Sequence, residues 1–478
     1  MNRHFCETEK INRSCQLMFV ETILLTALFV TFCAMLLVGF HISYTLFGVS
    51  ILFTVIAMIS DQYFDTATGL DFFYFGIVVK RIYSVMTNWI LIAGTLFIFM
   101  GFMLEKSGIA ERLLTSTQEL FGNVRGGMAI TVALIGTLLA ASTGIVGASV
   151  VLLGVLSLPI MIKQGYSKEL ATGTVAASGC LGIIIPPSIM LVFMADQLNL
   201  PAGDLFMGAF IPGLMLAALY VIYILGFSFL RPESAPLAED RQPVGFKTLF
   251  RVLLDAVPIL ALMFLVLGSI IAGIATVTEA SGVGALSAMI LAAFYRKLNL
   301  PMLKEALYGT FNTMGYIFCI IIGATVFAFV VRALGGDEII EEALTSLPFS
   351  DNGIILFVIV CVFLLGFFLD WIEITFIVLP LLVPVIGAMD LAISGYGVVD
   401  KPVLVWFTIL VAVTLQTSFL TPPVGYALFY MRGISPPGVA MKDIYKGIIP
   451  FVILQLIAIY LVFQWPALAT WLPAYVYG

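Results

Sequence analysis

Two short stretches carry the residues most able to do chemistry. They are Gly182-Ile183-Ile184-Ile185-Pro186-Pro187-Ser188 and Ser418-Phe419-Leu420-Thr421-Pro422-Pro423-Val424-Gly425, one in each half of the chain. Each places a proline pair inside an apolar run, so two backbone donors vanish and the helix must break, leaving carbonyls unpaired. An unpaired carbonyl in hydrocarbon costs several kcal/mol, so broken backbone persists there only when buried in protein or lining a polar cavity. Freed carbonyls beside Ser and Thr hydroxyls are hard oxygen ligands, the set a cation such as sodium takes without a full countercharge. One such break alone is explained by helix kinking for packing. Two matched breaks, each with a polar hairpin ahead of it, favour an ion site.

Carboxylates form the second constellation. Asp370 and Glu373 stand three apart in an apolar segment, which puts them on one face if that segment is helical. At membrane depth such groups are costly and usually functional. They would coordinate a cation, bind a proton or repel a wrong substrate; the bland alternative is partial solvation at a wet hairpin tip. Ser188 follows the first proline pair, where a hydroxyl caps the next helix or faces a substrate. Other chemistries find no support. The two histidines, His4 and His41, lie outside both stretches, so a Ser–His intramembrane hydrolase lacks its base. The six cysteines show no metal-ligand spacing, and no zincin, P-loop or dinucleotide pattern appears. The chain reads as a non-enzyme without an organic cofactor and without nucleic-acid contacts.

The elements that position these residues are membrane helices. Mean hydropathy is +1.12. Hydrophobic residues make up 61% and charged residues 10%, far from the roughly 25% charged of soluble domains. Segments 18–40, 43–60, 83–104, 205–230, 249–273, 304–332 and 444–464 each reach or approach spanning length. Alternating ten-residue strand patterns are absent, which argues against a barrel. The polar start at 1–17 precedes an apolar run too long for a signal peptide, so that run is expected to stay as the first span.

Two repeated units follow the early spans. In the first, arms 127–141 and 150–162 flank the small, polar tip Ala141–Ser149; in the second, 353–369 and 374–386 flank Gly366–Glu373. Arms this short suit re-entrant hairpins. Arg112, Arg125, Lys163 and Lys168 surround the first hairpin, while Asp351, Asp390 and Asp400 surround the second, with Arg332 and Lys401 as exceptions. Cytoplasmic loops are rich in Lys and Arg, so the hairpins are expected to enter from opposite faces as an inverted repeat. Segment 105–125 reads as an interfacial amphipathic helix. The expected division is N-terminal scaffold spans 1–104, first repeat 105–230, cytoplasmic linker 231–248, scaffold spans with a second interfacial segment 249–345, and second repeat 346–478.

The run Thr143-Gly144-Ile145-Val146-Gly147-Ala148-Ser149, then Ala171-Thr172-Gly173 and the first proline block, resembles the large membrane subunit of tripartite ATP-independent periplasmic (TRAP) transporters. Thr276–Ala280, Gly366–Glu373 and Leu420–Gly425 are similar to later family blocks in the same order, and the tip sequences are similar to the longer, mannitol/chloroaromatic-like branch. The resemblance implies an all-α, elevator-type secondary transporter of the bacterial inner membrane, similar to the ion transporter superfamily. It implies coupling to transported sodium ions and uptake of a small organic acid. Its implied partners are a small four-helix membrane subunit, a periplasmic substrate-binding protein and membrane lipid. Carried over by residue, it implies one sodium at Thr143, Gly182, Ile185 and Pro187, and a second at Gly366, Ser418, Thr421 and Val424. Ser149, Ser188, Asp370 and Glu373 are the substrate-adjacent candidates. The competing readings are a proton- or sodium-coupled carboxylate transporter that works without a binding protein, and a channel-like subunit.

Overall fold

Helices form wherever the apolar runs lie, because a backbone in hydrocarbon satisfies its own N–H and C=O groups only that way. A computed structural model describes residues 2–64, 68–143, 146–237, 245–389, 391, 393, 402–422 and 425–477, without the side chains of 2–19, 64, 72 and 140–143. In chain order the helices begin α1 (Asn2–Val38), α2 (Ile42–Phe64), α3 (Phe72–Phe75), α4 (Ile77–Met86), α5 (Trp89–Lys106) and α6 (Ile109–Phe121). The first hairpin is α7 (Gly127–Thr143) with α8 (Val146–Lys163); the first broken helix is α9 (Lys168–Cys180) with α10 (Ile189–Leu198). Next come α11 (Ala202–Leu230), α12 (Phe246–Ile271), α13 (Val277–Phe294), α14 (Leu300–Ala333) and α15 (Gly336–Thr345). The segment expected as the second hairpin comprises α16 (Asp351–Leu365), then α17 (Trp371–Glu373), a π-helical turn Ile374–Val378 and α18 (Leu379–Ala388). The second broken helix is α19 (Pro402–Leu420) with α20 (Tyr426–Ile434), followed by α21 (Met441–Gln464) and α22 (Ala467–Tyr477). No strand occurs among the described residues.

Each span expected from hydropathy coincides with a helix except 83–104, which starts in α4 and crosses a break at Thr87-Asn88 into α5; α6 is the core of the expected amphipathic segment, burying Leu113 and Leu114. Among the described residues, eleven helices are long and apolar enough to cross a membrane. One of them, α13, was marked in the sequence only by Thr276–Ala280. That block is its capping box: Thr276 Oγ1 accepts from the Glu279 N–H while Glu279 accepts from the Thr276 N–H at 2.8 Å.

The first hairpin departs from expectation in arm length. Its helices run to Thr143 and restart at Val146, so the second arm has 18 residues where 150–162 was expected. Glycine and hydroxylic residues are weak helix formers alone, but packing overrides so weak a propensity. Gly144 and Ile145, at the tip, lie outside the described residues.

The chain divides into two compact units. The first comprises 1–88, 315–355 and 372–390; the second comprises 89–314, 356–371 and 391–478. In the first, α1 lies along α2, and α15 lies along α18. In the second, α19 is buried along its described length, which suits a helix apolar on every side. There α9 crosses α21 at Gly173 and Gly447: a Cβ on Gly173 would meet the Gly447 carbonyl and stand 3.0 Å from the Phe451 ring. This division cuts through the second hairpin after Trp371.

Candidate cation site at two helix breaks

In an α-helix the carbonyl of residue i receives the N–H of residue i+4. Pro186 and Pro187 therefore deprive Gly182 and Ile183; Pro422 and Pro423 deprive Ser418 and Phe419. At the first break the chain tightens into a single 3₁₀ turn, Leu181–Ile183, and the Ile184 and Ile185 N–H groups both turn back to the Leu181 carbonyl. The Ser188 hydroxyl donates to the freed Ile183 carbonyl and accepts from the Leu191 N–H at 3.5 Å, capping α10. Ser188 is thus a structural cap, wholly buried, and its proton is not offered to a substrate. Among the described residues no donor reaches the Gly182 carbonyl. Gly182, Ile185 and Pro187 are all buried. The peptide between Pro186 and Pro187 is cis.

Thr143 closes α7, and its side chain lies outside the described set. The hairpin is nonetheless held against this break. Its first arm lies on the 3₁₀ turn, a Cβ on Gly136 would stand 2.6 Å from Ser178 Cβ, and one on Gly179 would stand 2.9 Å from Val150 Cα. Ser149, on the second arm, is buried. At the hairpin's outer end the Met128 N–H donates to the Tyr166 hydroxyl at 3.2 Å. Burial pushes the Tyr166 phenol up, against the smaller lowering by the Met128 and Ala129 N–H groups, so it stays protonated.

The second break repeats this construction. The Thr421 N–H turns back to the freed Ser418 carbonyl at 3.2 Å, a 3₁₀ closure. The Ser418 hydroxyl lies 3.3 Å from the Thr414 carbonyl and 3.4 Å from the Phe363 carbonyl of α16. Gly366 is beside it: a Cβ there would stand 2.6 Å from Ser418 Cβ. Gly366 and Ser418, predicted as one ligand set, are therefore neighbours. The half-buried Thr421 hydroxyl donates its proton to the Thr417 carbonyl at 2.7 Å, so towards a cation it would offer only its oxygen lone pairs. Val424 and Pro423 lie outside the described residues.

The expectation that Asp370 and Glu373 share a helical face does not hold. After α16 the chain makes a turn through Gly366–Leu369, and Asp370 sits before the next helix, its Oδ1 accepting from the Trp371 N–H at 2.7 Å. It is half-buried, whereas Glu373 is wholly buried inside the helical segment. The helix begins only at Trp371, so Asp370 precedes it and helical spacing does not govern the pair.

Each hairpin also touches the half-helix of the other repeat. A Cβ on Gly147, at the first tip, would stand 2.7 Å from Tyr430 Cζ on α20. Trp371, at the second, stacks on Phe193 of α10 with centroids 5.9 Å apart. Tyr430 also lies within electrostatic reach of Asp370. Sequence reasoning passed over Tyr430, which carries no local motif. It also passed over Gln416, wholly buried on α19 with neither amide atom hydrogen-bonded among the described residues. The available signal was an amide two residues before Ser418 in a run otherwise apolar or hydroxylic.

Residues 29–468 match the family model described as tripartite ATP-independent periplasmic transporter, DctM component. The C4-dicarboxylate TRAP transporter large permease protein DctM of Vibrio cholerae is 28% identical over 94% of this chain and 98% of its own length. The sialic acid TRAP transporter large permease protein SiaM of the same organism is 26% identical over 86% and 92%. Among solved structures, the Alcanivorax borkumensis YdaH transporter matches with a TM-score of 0.56 at 13% identity, covering 80% of this chain and 85% of that one, a likeness of fold alone. The chain belongs to the DctM family of TRAP transporter large permease subunits and is a multi-pass protein of the bacterial inner membrane.

Proposed function

We propose that this chain is the transporting subunit of a sodium-driven TRAP system that imports a small organic acid. The observation that carries the reading is the pair of breaks. In each, two prolines free two carbonyls, one is recaptured locally, and hydroxyls or small residues of the adjoining hairpin lie alongside. A packing kink has no need to leave a carbonyl without a donor, as the first break leaves Gly182 among the described residues. Oxygen sets of this kind suit sodium, held at Thr143, Gly182, Ile185 and Pro187 and at Gly366, Ser418, Thr421 and Val424. The family's tripartite description supports a small membrane subunit and a periplasmic binding protein as partners. Relatives named for C4-dicarboxylates and sialic acid support an organic acid as cargo. The elevator motion, with both hairpins carried past a scaffold, rests on the repeated hairpin-and-break order and on the family.

The test is accumulation of the cargo in proteoliposomes containing the partner subunits and loaded binding protein. An inward sodium gradient drives uptake above equilibrium; uptake that is unchanged with choline in place of sodium overturns the reading. Equilibration without concentration would identify a channel instead.

A further inference from the structure

A charged groove unrelated to the helix breaks lies where α5 ends and α14 begins. Its cavity is about 560 Å³, lined by Phe102, Glu105, Lys106, Lys304, Glu305 and Tyr308, among others. Lys106 Nζ pairs with Glu305 Oε2 at 2.7 Å, joining the two helices. The remaining charges are opposite in sign and make no ion pair within 4.0 Å among the described residues: Glu105 and Lys304. Lys304 Nζ lies 5.7 Å from the centroid of the Tyr308 ring, one turn along its own helix. The groove floor depends on Gly309, since a Cβ there would stand 3.0 Å from the Phe102 ring.

Position in the membrane narrows the ligand. Lys106 is the last residue of one candidate span and Lys304 the fifth of another, so the charges sit where spans end and headgroups lie. Below them α14 presents Leu307 and Phe311, 52% and 75% exposed, as an apolar track for an acyl chain. We infer that this groove binds a phospholipid whose headgroup carries both a phosphate and a primary amine, of the phosphatidylethanolamine class. The phosphate faces Lys304 and the ammonium donates to Glu105. A purely anionic headgroup brings its charge against Glu105 and Glu305 with no cation of its own. A choline headgroup has no N–H to donate, and the Tyr308 ring that would attract it is already under Lys304. Free phosphate compounds gain nothing from the apolar track.

Native mass spectrometry of the full chain, released from nanodiscs of mixed phosphatidylethanolamine, phosphatidylcholine and phosphatidylglycerol, reads the preference directly. Phosphatidylethanolamine is retained about fivefold above the other two, as one favourable charge contact near a membrane surface would give. Glu105→Gln with Lys304→Gln abolishes that preference while leaving the Lys106–Glu305 pair intact, and Lys163→Gln elsewhere does not. Equal retention of the three lipids overturns the assignment, as does a preference that survives the double variant. Water-soluble glycerophosphoethanolamine competing as well as the lipid would overturn the acyl component. Loss of the lipid on assembly with the small membrane subunit would show that a protein surface, not a lipid, fills the groove.

Discussion

Gly366 and Ser418 allow packing and ligation to be separated. Adding a methyl at Gly366 places its Cβ 2.6 Å from Ser418 Cβ, about an ångström inside contact distance. Overpacking of this kind costs about 1–3 kcal/mol, so Gly366→Ala lowers the melting temperature and reduces transport. Ser418→Gly removes both atoms that the methyl meets, at the cost of two hydroxyl contacts of 3.3 and 3.4 Å, both long and weak. The Gly366→Ala, Ser418→Gly pair therefore recovers most of the stability, with a coupling of about 1–3 kcal/mol between neighbouring sites. Sodium dependence follows a different rule. If the Ser418 hydroxyl is a ligand, the double variant needs about tenfold more sodium for half-maximal uptake, the equivalent of about 1.4 kcal/mol. Thermal unfolding and sodium titration in proteoliposomes measure the two effects on the same protein. A double variant that regains stability and also keeps the original sodium requirement refutes the hydroxyl as a ligand. One that regains neither refutes the contact itself.

Thr421→Val keeps the side chain's shape but removes its oxygen, so the sodium requirement rises on the order of tenfold while Thr421→Ser is silent; an unchanged sodium response in a folded Val variant leaves the site to carbonyls alone. Gly147→Ala drives a methyl into the Tyr430 ring and stops transport, and Tyr430→Leu in the same chain restores part of it; failure of Tyr430→Leu to restore any transport argues against that contact. Tyr166→Phe strands the Met128 N–H, costing about 1–3 kcal/mol, read as a lower melting temperature that neutral-to-mild-alkaline pH does not mimic, because burial holds the phenol protonated. Single cysteines at Lys163 and Asp351, in a chain free of other cysteines, label from opposite membrane faces; labelling of both by one impermeant reagent added outside contradicts the inverted repeat.

Most spans, the first hairpin and both breaks were legible because each rests on a strong local signal. A run of apolar residues admits only a helix in a bilayer, and Pro-Pro admits no helix at all. The neighbouring placement of Gly366 and Ser418 followed from the resemblance, and the packing agrees. Illegible were features set by tertiary contact. Helical spacing placed Asp370 and Glu373 on one face, but the helix begins only at Trp371, so Asp370 precedes it. The arms of the first hairpin ran two to four residues past expectation because packing, not propensity, decides helix ends among small residues. Ser188 was open between two roles until the Ile183 carbonyl was seen to claim its proton.

The cross-contacts bear on how two cation sites would act together. Tyr430, five residues past the second break, packs on the first tip, and Phe193, five residues past the first break, stacks on Trp371 beside the second. Both contacts lie within one compact unit, and α19, which ends in the second break, also lies against the first. A cation that fixes one hairpin on its own break therefore restrains the half-helix belonging to the other. Packed interiors respond to such restraint by switching between discrete arrangements, not by gradual yielding. Occupancy of the two sites is thus expected to be positively cooperative, because the first ion bears the ordering cost that the second would otherwise meet.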